Sequence, residues 1–140
     1  MLTSREIERL SMALHEFKTL LSNEFINANI DFSPTQMKVL RHITRIQPCT
    51  SQSLVVTLKR NKAQITRMVQ SLLEKGVIEK VEHQQDKRSQ LLSTTPLGEE
   101  MLEKMSVAET EVLKKLSHRL THDQSMQLAE LLEQLTQKTV

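Results

Sequence analysis

The sequence contains no tryptophan and no tyrosine, and Phe17, Phe25 and Phe32 are its only aromatic residues. A ligand site walled by stacked rings is hard to build from so few, although methionine- or leucine-lined pockets stay open to it. Its single cysteine, Cys49, excludes an internal disulfide and any cysteine-based zinc spacing, so packing alone must hold the fold. Two glycines and three prolines in 140 residues leave few helix breakers. No apolar run approaches the ~20 residues that span a bilayer, and the first residues, Met1 to Arg9, reach acidic positions without a signal-type apolar stretch. A cytoplasmic protein with no membrane partner is expected. There is no glycine-rich phosphate loop, nucleophile elbow or recognisable carboxylate pair, so neither catalysis nor a cofactor is expected.

The most local absence is of acid. Between Asp31 and Glu74 the chain has no carboxylate, while Lys38, Arg41, Arg45, Lys59, Arg60, Lys62 and Arg67 all fall there. Net charge is only +2, but residues 33–95 hold eleven bases against four acids, whereas residues 1–32 and 96–140 are both net acidic. A basic centre between acidic flanks suits a polyanionic partner.

What is present is helix-forming sequence with clear punctuation. Ile7, Leu10, Leu14, Phe17 and Leu21 recur three and four apart, the spacing of one helix stripe. Ser33-Pro34-Thr-Gln36 combines an N-cap, proline at the first helical position and a capping-box glutamine, opening a second helix with Met37, Leu40, Ile43 or Thr44, and Ile46 inward. Gln47-Pro48 ends it. Thr50 or Ser51 caps a short third helix around Leu54, Val55 and Leu58, and Asn61, with Gln64 three residues on, caps a fourth on Ile65, Val69 and Leu72 that stops at Lys75-Gly76. The period then changes. Val77–Val81 and Leu91–Thr94 are β-compatible runs around a polar stretch, a hairpin. Thr95-Pro96 opens a long helix with Leu97, Met101, Met105, Ala108, Val112, Leu116 and Leu120 inward, and Thr121 caps a last one bearing Leu128, Leu131, Leu132 and Leu135.

The order implies a mainly α fold with a small β-hairpin wing. It reads as one domain over residues 1–140, a winged helix-turn-helix at residues 33–95 with dimerisation helices at 1–32 and 96–140. The flanking stripes either fold back on the module or pair with a second chain, and pairing is the favoured reading. The fourth helix presents Asn61, Lys62, Gln64, Thr66, Arg67 and Gln70 opposite its apolar row. Arginine and lysine bond guanine edges and glutamine adenine edges in a major groove, and Thr50 and Ser51 can take phosphate oxygens. At the hairpin tip, Asp86, Lys87 and Arg88 place an arginine where a minor groove would receive it, steadied by the aspartate. A solvated basic face and an ordinary charged turn are the plain alternatives.

From about Phe32 to Met101 the chain resembles the MarR family. The resemblance rests on the wing pattern Asp86-Lys-Arg88 followed by Thr95-Pro-Leu-Gly98, and on Ile65-Thr66-Arg67 running through Leu72-Leu-Glu-Lys-Gly76-Val-Ile-Glu79. Thr94 departs from the pattern, which favours an apolar residue there, and so does Asn61, where serine or aspartate is commoner. The resemblance implies a homodimeric transcription regulator, a repressor, gripping a pseudo-palindromic operator in double-stranded DNA with two recognition helices and two wings. A protein–protein winged-helix module and a non-specific nucleoid-type DNA binder are the competing readings.

The resemblance also implies release by a small-molecule effector, a metal or thiol oxidation. The sequence does not identify an effector. His118 and His122 have metal-ligand spacing, yet Thr121 between them is a cap that puts them on different helices, and His15, His42 and His83 are scattered, so no metal is expected. Cys49 is either a small buried hydrophobe or a redox-sensing thiol activated by Arg45 and a helix N-terminus.

Overall fold

In a computed structural model, which describes residues 1–82, 85 and 90–137, six helices and one hairpin follow in the order α1 Ser4–Asn27, α2 Pro34–Arg45, α3 Ser51–Leu58, α4 Lys62–Glu74, β1 Ile78–Glu82, β2 Gln90–Thr94, α5 Pro96–Ser117 and α6 His122–Thr136. The helix starts are set by side chains written in the sequence. Ser33 Oγ accepts from the Gln36 amide at 3.1 Å while Gln36 Oε1 accepts from the Ser33 amide at 2.9 Å, with Pro34 in the first turn. Thr50, Asn61, Thr95 and Thr121 cap α3, α4, α5 and α6 in turn. At α1, Thr3 donates to Glu6, and those bonds hold the Glu6 carboxyl below the ordinary carboxylate range.

The core gathers Leu21 and Phe25 of α1, Met37, Leu40 and Ile43 of α2, Leu54 of α3, Ile65, Val69 and Leu72 of α4, Leu92 of β2, and Met105, Ala108 and Val112 of α5. Each large aliphatic side chain withdrawn from water here contributes about 1.5–3 kcal/mol. α3 and α4 pack on each other, α2 lies against α4, α5 and β2, and α1 runs along α5. The turn between α3 and α4 is made by Lys59, held left-handed at φ 52°, a conformation that costs a side-chain-bearing residue energy.

The hairpin is antiparallel, with Ile78 opposite Thr94 and Lys80 opposite Leu92. Its base is fastened to α2. Thr44 Oγ1 donates to Leu40 O and lies 2.6 Å from Thr94 Oγ1, Gln47 Nε2 donates to Leu92 O at 3.0 Å, and the Leu92 amide donates to Cys49 O at 2.8 Å. Thr94, the departure noted above, thus has a hydroxyl partner across the helix–strand seam. The peptide Gln47–Pro48 is cis.

The Thr95-x-x-Gly98 pattern acquires a physical meaning. Thr95 Oγ1 accepts from the Gly98 amide at 3.1 Å and donates to Gly76 O at 2.7 Å, which pins the start of α5 to the end of α4. Gly98 approaches the Val77 carbonyl so closely that a Cβ would collide with it, and Thr94 Cγ2 would be 2.7 Å away. Gly76 closes α4 at φ 71°.

Several inward positions need correction. Ile46 is 54% exposed because the helix ends at Arg45 and the chain turns extended at Ile46, and Val39 is buried instead. Leu97, in the first turn of α5, is 45% exposed, and Leu120 is 39% exposed because α5 ends at Ser117 before reaching it. The first strand starts at Ile78 and the second at Gln90, each one residue from the expected start.

Candidate nucleic-acid interface

α4 is amphipathic in the sense the site requires. Its row Ile65, Val69 and Leu72 is buried, and the opposite row of Lys62, Gln64, Thr66, Arg67 and Gln70 is exposed together with the cap Asn61. Because the buried row is anchored in the core, the exposed row keeps a fixed orientation. Gln36 adds a second anchor, donating from Nε2 to Ser71 Oγ at 2.8 Å and so joining the capped start of α2 to the back of α4.

The exposed side chains divide into two sets. Asn61 Oδ1 accepts from the Gln64 amide, Thr66 Oγ1 donates to Lys62 O at 2.8 Å, and Gln70 Nε2 donates to Glu74 Oε1 at 3.3 Å. These three serve the helix, and what remains for a ligand is the Asn61 amide NH₂, the Thr66 lone pairs and the Gln70 carbonyl. The side chains of Lys62, Gln64 and Arg67 have no protein partner among the described residues, so they are free to bond outward. At the start of α3, Thr50 Oγ1 accepts from the Ser53 amide at 3.1 Å as the cap, and Ser51 is exposed beside it.

Thr50, Ser51, Lys62, Thr66 and Ile65 meet in one groove of about 310 Å³ whose other wall comes from the hairpin, through Lys80, Gln90 and Leu92, with Gln52 and Val55 between. The structure therefore brings together the α3 start, the Lys62–Thr66 turn of α4 and the hairpin, while Gln64 and Arg67 line a neighbouring groove with Arg60. Gln52, Lys80 and Gln90 were not expected there. The strand alternation could have flagged Lys80 and Gln90, but only with the hairpin register known. Asp86, Lys87 and Arg88, the expected wing tip, lie outside the described residues.

Most bases of this region lack a carboxylate partner among the described residues, in contrast to those of the C-terminal flank. Among described residues after position 96, every base is paired: Lys104 with Glu100, Lys114 with Glu111, Lys115 with Glu24 and Arg119 with Glu16. Within residues 33–75 only two bases are paired with acids among the described residues, Arg41 with Glu109 at 3.0 Å and Lys75 with Asp31 at 3.1 Å, and both acids come from outside the segment. Lys75 also stands 4.7 Å over the Phe32 ring. The positive field is left uncancelled over α4 and its surroundings.

These features match a known group of proteins. The profile of the MarR family fits residues 32–90. The multiple antibiotic resistance protein MarR of Salmonella typhimurium is 31% identical over 128 residues, which cover 91% of this chain and 88% of the relative. The chain belongs to the MarR family. A solved structure of an E. coli MarR cysteine-to-serine variant complexed with operator DNA superposes with a TM-score of 0.81 at 26% identity, covering 93% of this chain and 92% of that one. A Staphylococcus aureus MepR–DNA complex, 19% identical with a TM-score of 0.78, shares the fold. The MarR-family likeness thus extends over the flanking helices as well as the winged module.

The redox expectation for Cys49 meets an obstacle. The residue is 1% exposed, and burial pushes its thiol up, opposed only by a hydrogen bond from Ser53, whose Oγ lies 3.7 Å from the sulfur. Arg45 is exposed and does not reverse this. The thiol behaves as a small core hydrophobe. His118 ends α5 and His122 begins α6, on separate helices as expected, and the described residues hold no group of three or more metal-ligating side chains. No helix of the described residues is long and apolar enough to cross a membrane.

A second cleft of about 360 Å³ opens between α1, α2 and α5. Leu14, Phe17, Leu21 and Met37 form its apolar side, and Lys18, Lys38, Arg60 and the Arg41–Glu109 ion pair its polar side.

Proposed function

We propose that the protein is a cytoplasmic, sequence-specific transcription regulator that binds double-stranded DNA as a homodimer and represses by occupying a pseudo-palindromic operator, without catalytic activity. The observation that supports this most is the unpartnered trio Lys62, Gln64 and Arg67 on a helix whose reverse side is locked into the core. Arginine and glutamine so displayed match the guanine and adenine edges of a major groove, and Ser51 with Thr50 is placed for phosphates. The wing, with Asp86, Lys87 and Arg88 at its tip, is assigned to the adjacent minor groove.

Residues 33–95 are assigned to DNA binding and residues 1–32 with 96–140 to dimerisation. What supports the second assignment is exposed apolar surface: Ile7, Leu10 and Leu14 on α1, and Leu128, Leu131, Leu132 and Leu135 on α6, lie uncovered at 38–58% exposure. A small-molecule effector completes the partner set, and the α1–α2–α5 cleft has the volume for one.

Fluorescence anisotropy of the full-length protein on DNA from upstream of its own coding sequence, against scrambled duplex of equal length over a salt series, tests the reading. Tight, salt-steep binding that prefers the upstream duplex is expected. Equal binding to both would favour a non-specific nucleoid role, and no salt-steep binding at all a protein-docking module.

A further inference from the structure

α2 contributes charge that the recognition of bases does not use. Lys38, Arg41 and Arg45 are spaced three and four apart on that helix, with His42 beside them, and with Leu58 and Ile46 they border one surface depression. Arg41 is neutralised by Glu109, but Lys38 and Arg45 are exposed and have no carboxylate within ion-pair distance among the described residues. Lys59 and Arg60, in the turn before α4, are equally unpaired, and the left-handed backbone at Lys59 makes that turn tight.

Arg60 joins the two sets. It shares a groove with Gln64 and Arg67 of α4 and with Thr35 of α2, and the α1–α2–α5 cleft with Lys38. A connected basic surface therefore runs from Arg67 through Arg60 to Lys38 and on to Arg45. The helix rise of about 1.5 Å per residue carries Lys38 to Arg45 over roughly 10 Å. Projected on the DNA axis, that is about three times the 3.4 Å rise per phosphate of one strand.

We infer that this surface is a second, sequence-independent DNA contact, in which Lys38, Arg45 and Arg60 grip the phosphate backbone beyond the bases addressed by α4. The inference rests on the DNA-binding reading above. The salt slope counts the phosphate charges neutralised, so lysine and arginine contribute alike to it although only arginine bonds phosphate bidentately. The carboxylate-free stretch is longer than the recognition helix because it also serves α2 and the turn.

The test compares wild type with K38Q/R45Q/R60Q and with the charge-preserving K38R/R45K/R60K, all full-length, by anisotropy over a salt series. The probes are the duplex that wild type selects from a random library and a scrambled duplex. Glutamine keeps most of each side-chain stem, and circular dichroism melts confirm that the variants fold. The glutamine variant is expected to lose about 2–3 units of the slope of log affinity against log salt, near 0.9 per phosphate contact. It should weaken on both duplexes by the same factor and keep its preference, while the charge-preserving variant retains the wild-type slope. An unchanged slope in the glutamine variant overturns the inference, as does a selective loss of preference, which would mean these residues act by positioning α4. Wild type without salt-steep binding on either duplex would instead sink the DNA reading itself.

Discussion

The central module and the flanking helices solve the burial of apolar surface in opposite ways. In α4 the row Ile65, Val69 and Leu72 is at most 4% exposed, closed off by α2, α3 and the hairpin of the same chain. In α6 no residue is buried, and Leu131 and Leu135 are 56% and 58% exposed. Charge divides along a different line: among the described residues the bases after residue 96 are matched with acids, while those of α1, α2 and α4 are mostly bare. A stripe completed within the chain holds a surface in place for a ligand, and a stripe left open asks for another chain.

The largest expected break in that contrast is removal of α6 after Thr121. It strips one open apolar stripe, so sedimentation should show monomer or aggregate instead of a dimer. A soluble dimeric truncation would contradict the assignment of residues 96–140. Within the module, Gly98→Ala should cost about 1–3 kcal/mol in denaturant unfolding, because a Cβ there meets the Val77 backbone carbonyl, which is held between Thr95 and the hairpin. A much smaller loss would show that this junction yields.

Arg67→Ala should weaken DNA binding by about 1–3 kcal/mol and relax base preference, without altering the melting midpoint, since its exposed side chain bonds no other side chain among the described residues. Uniform weakening across sequences would make Arg67 a phosphate contact. The smallest effect concerns Cys49. Its folded-state pKa is raised, so the neutral thiol favours the fold; that contribution is complete below the ordinary thiol range and is lost as pH climbs through the raised value. Stability should therefore fall toward alkaline pH at this residue and not toward acid. At pH 7.5 the native thiol should react with a disulfide reagent about tenfold or more slowly than in denaturant. Equal rates would restore the redox reading.

Much of the fold was legible because its instructions are local. Ser33, Thr50, Asn61, Thr95 and Thr121 each cap the helix they precede, since a cap needs only its own backbone three residues on. The α4 rows followed from the helical period. Less legible were the ends of inner stripes, Ile46, Leu97 and Leu120, where periodicity continues but the packing partner does not. Lys80 and Gln90 joined the groove only because the hairpin register puts them beside α3 and α4.

By itself the sequence determined the order and limits of the helices, the basic centre and the family, all of which depend on residues close along the chain or on composition. Tertiary structure decided which polar groups remain free. Arg41 looks as available in the sequence as Lys38 and Arg45, but Glu109, 68 positions further along the chain, neutralises it at 3.0 Å. Tertiary structure also buried Cys49, in line with the first of its two readings, and it closed the Thr44–Thr94 seam between residues 50 positions apart. Such outcomes depend on distances between segments remote in sequence, which no spacing along the chain encodes.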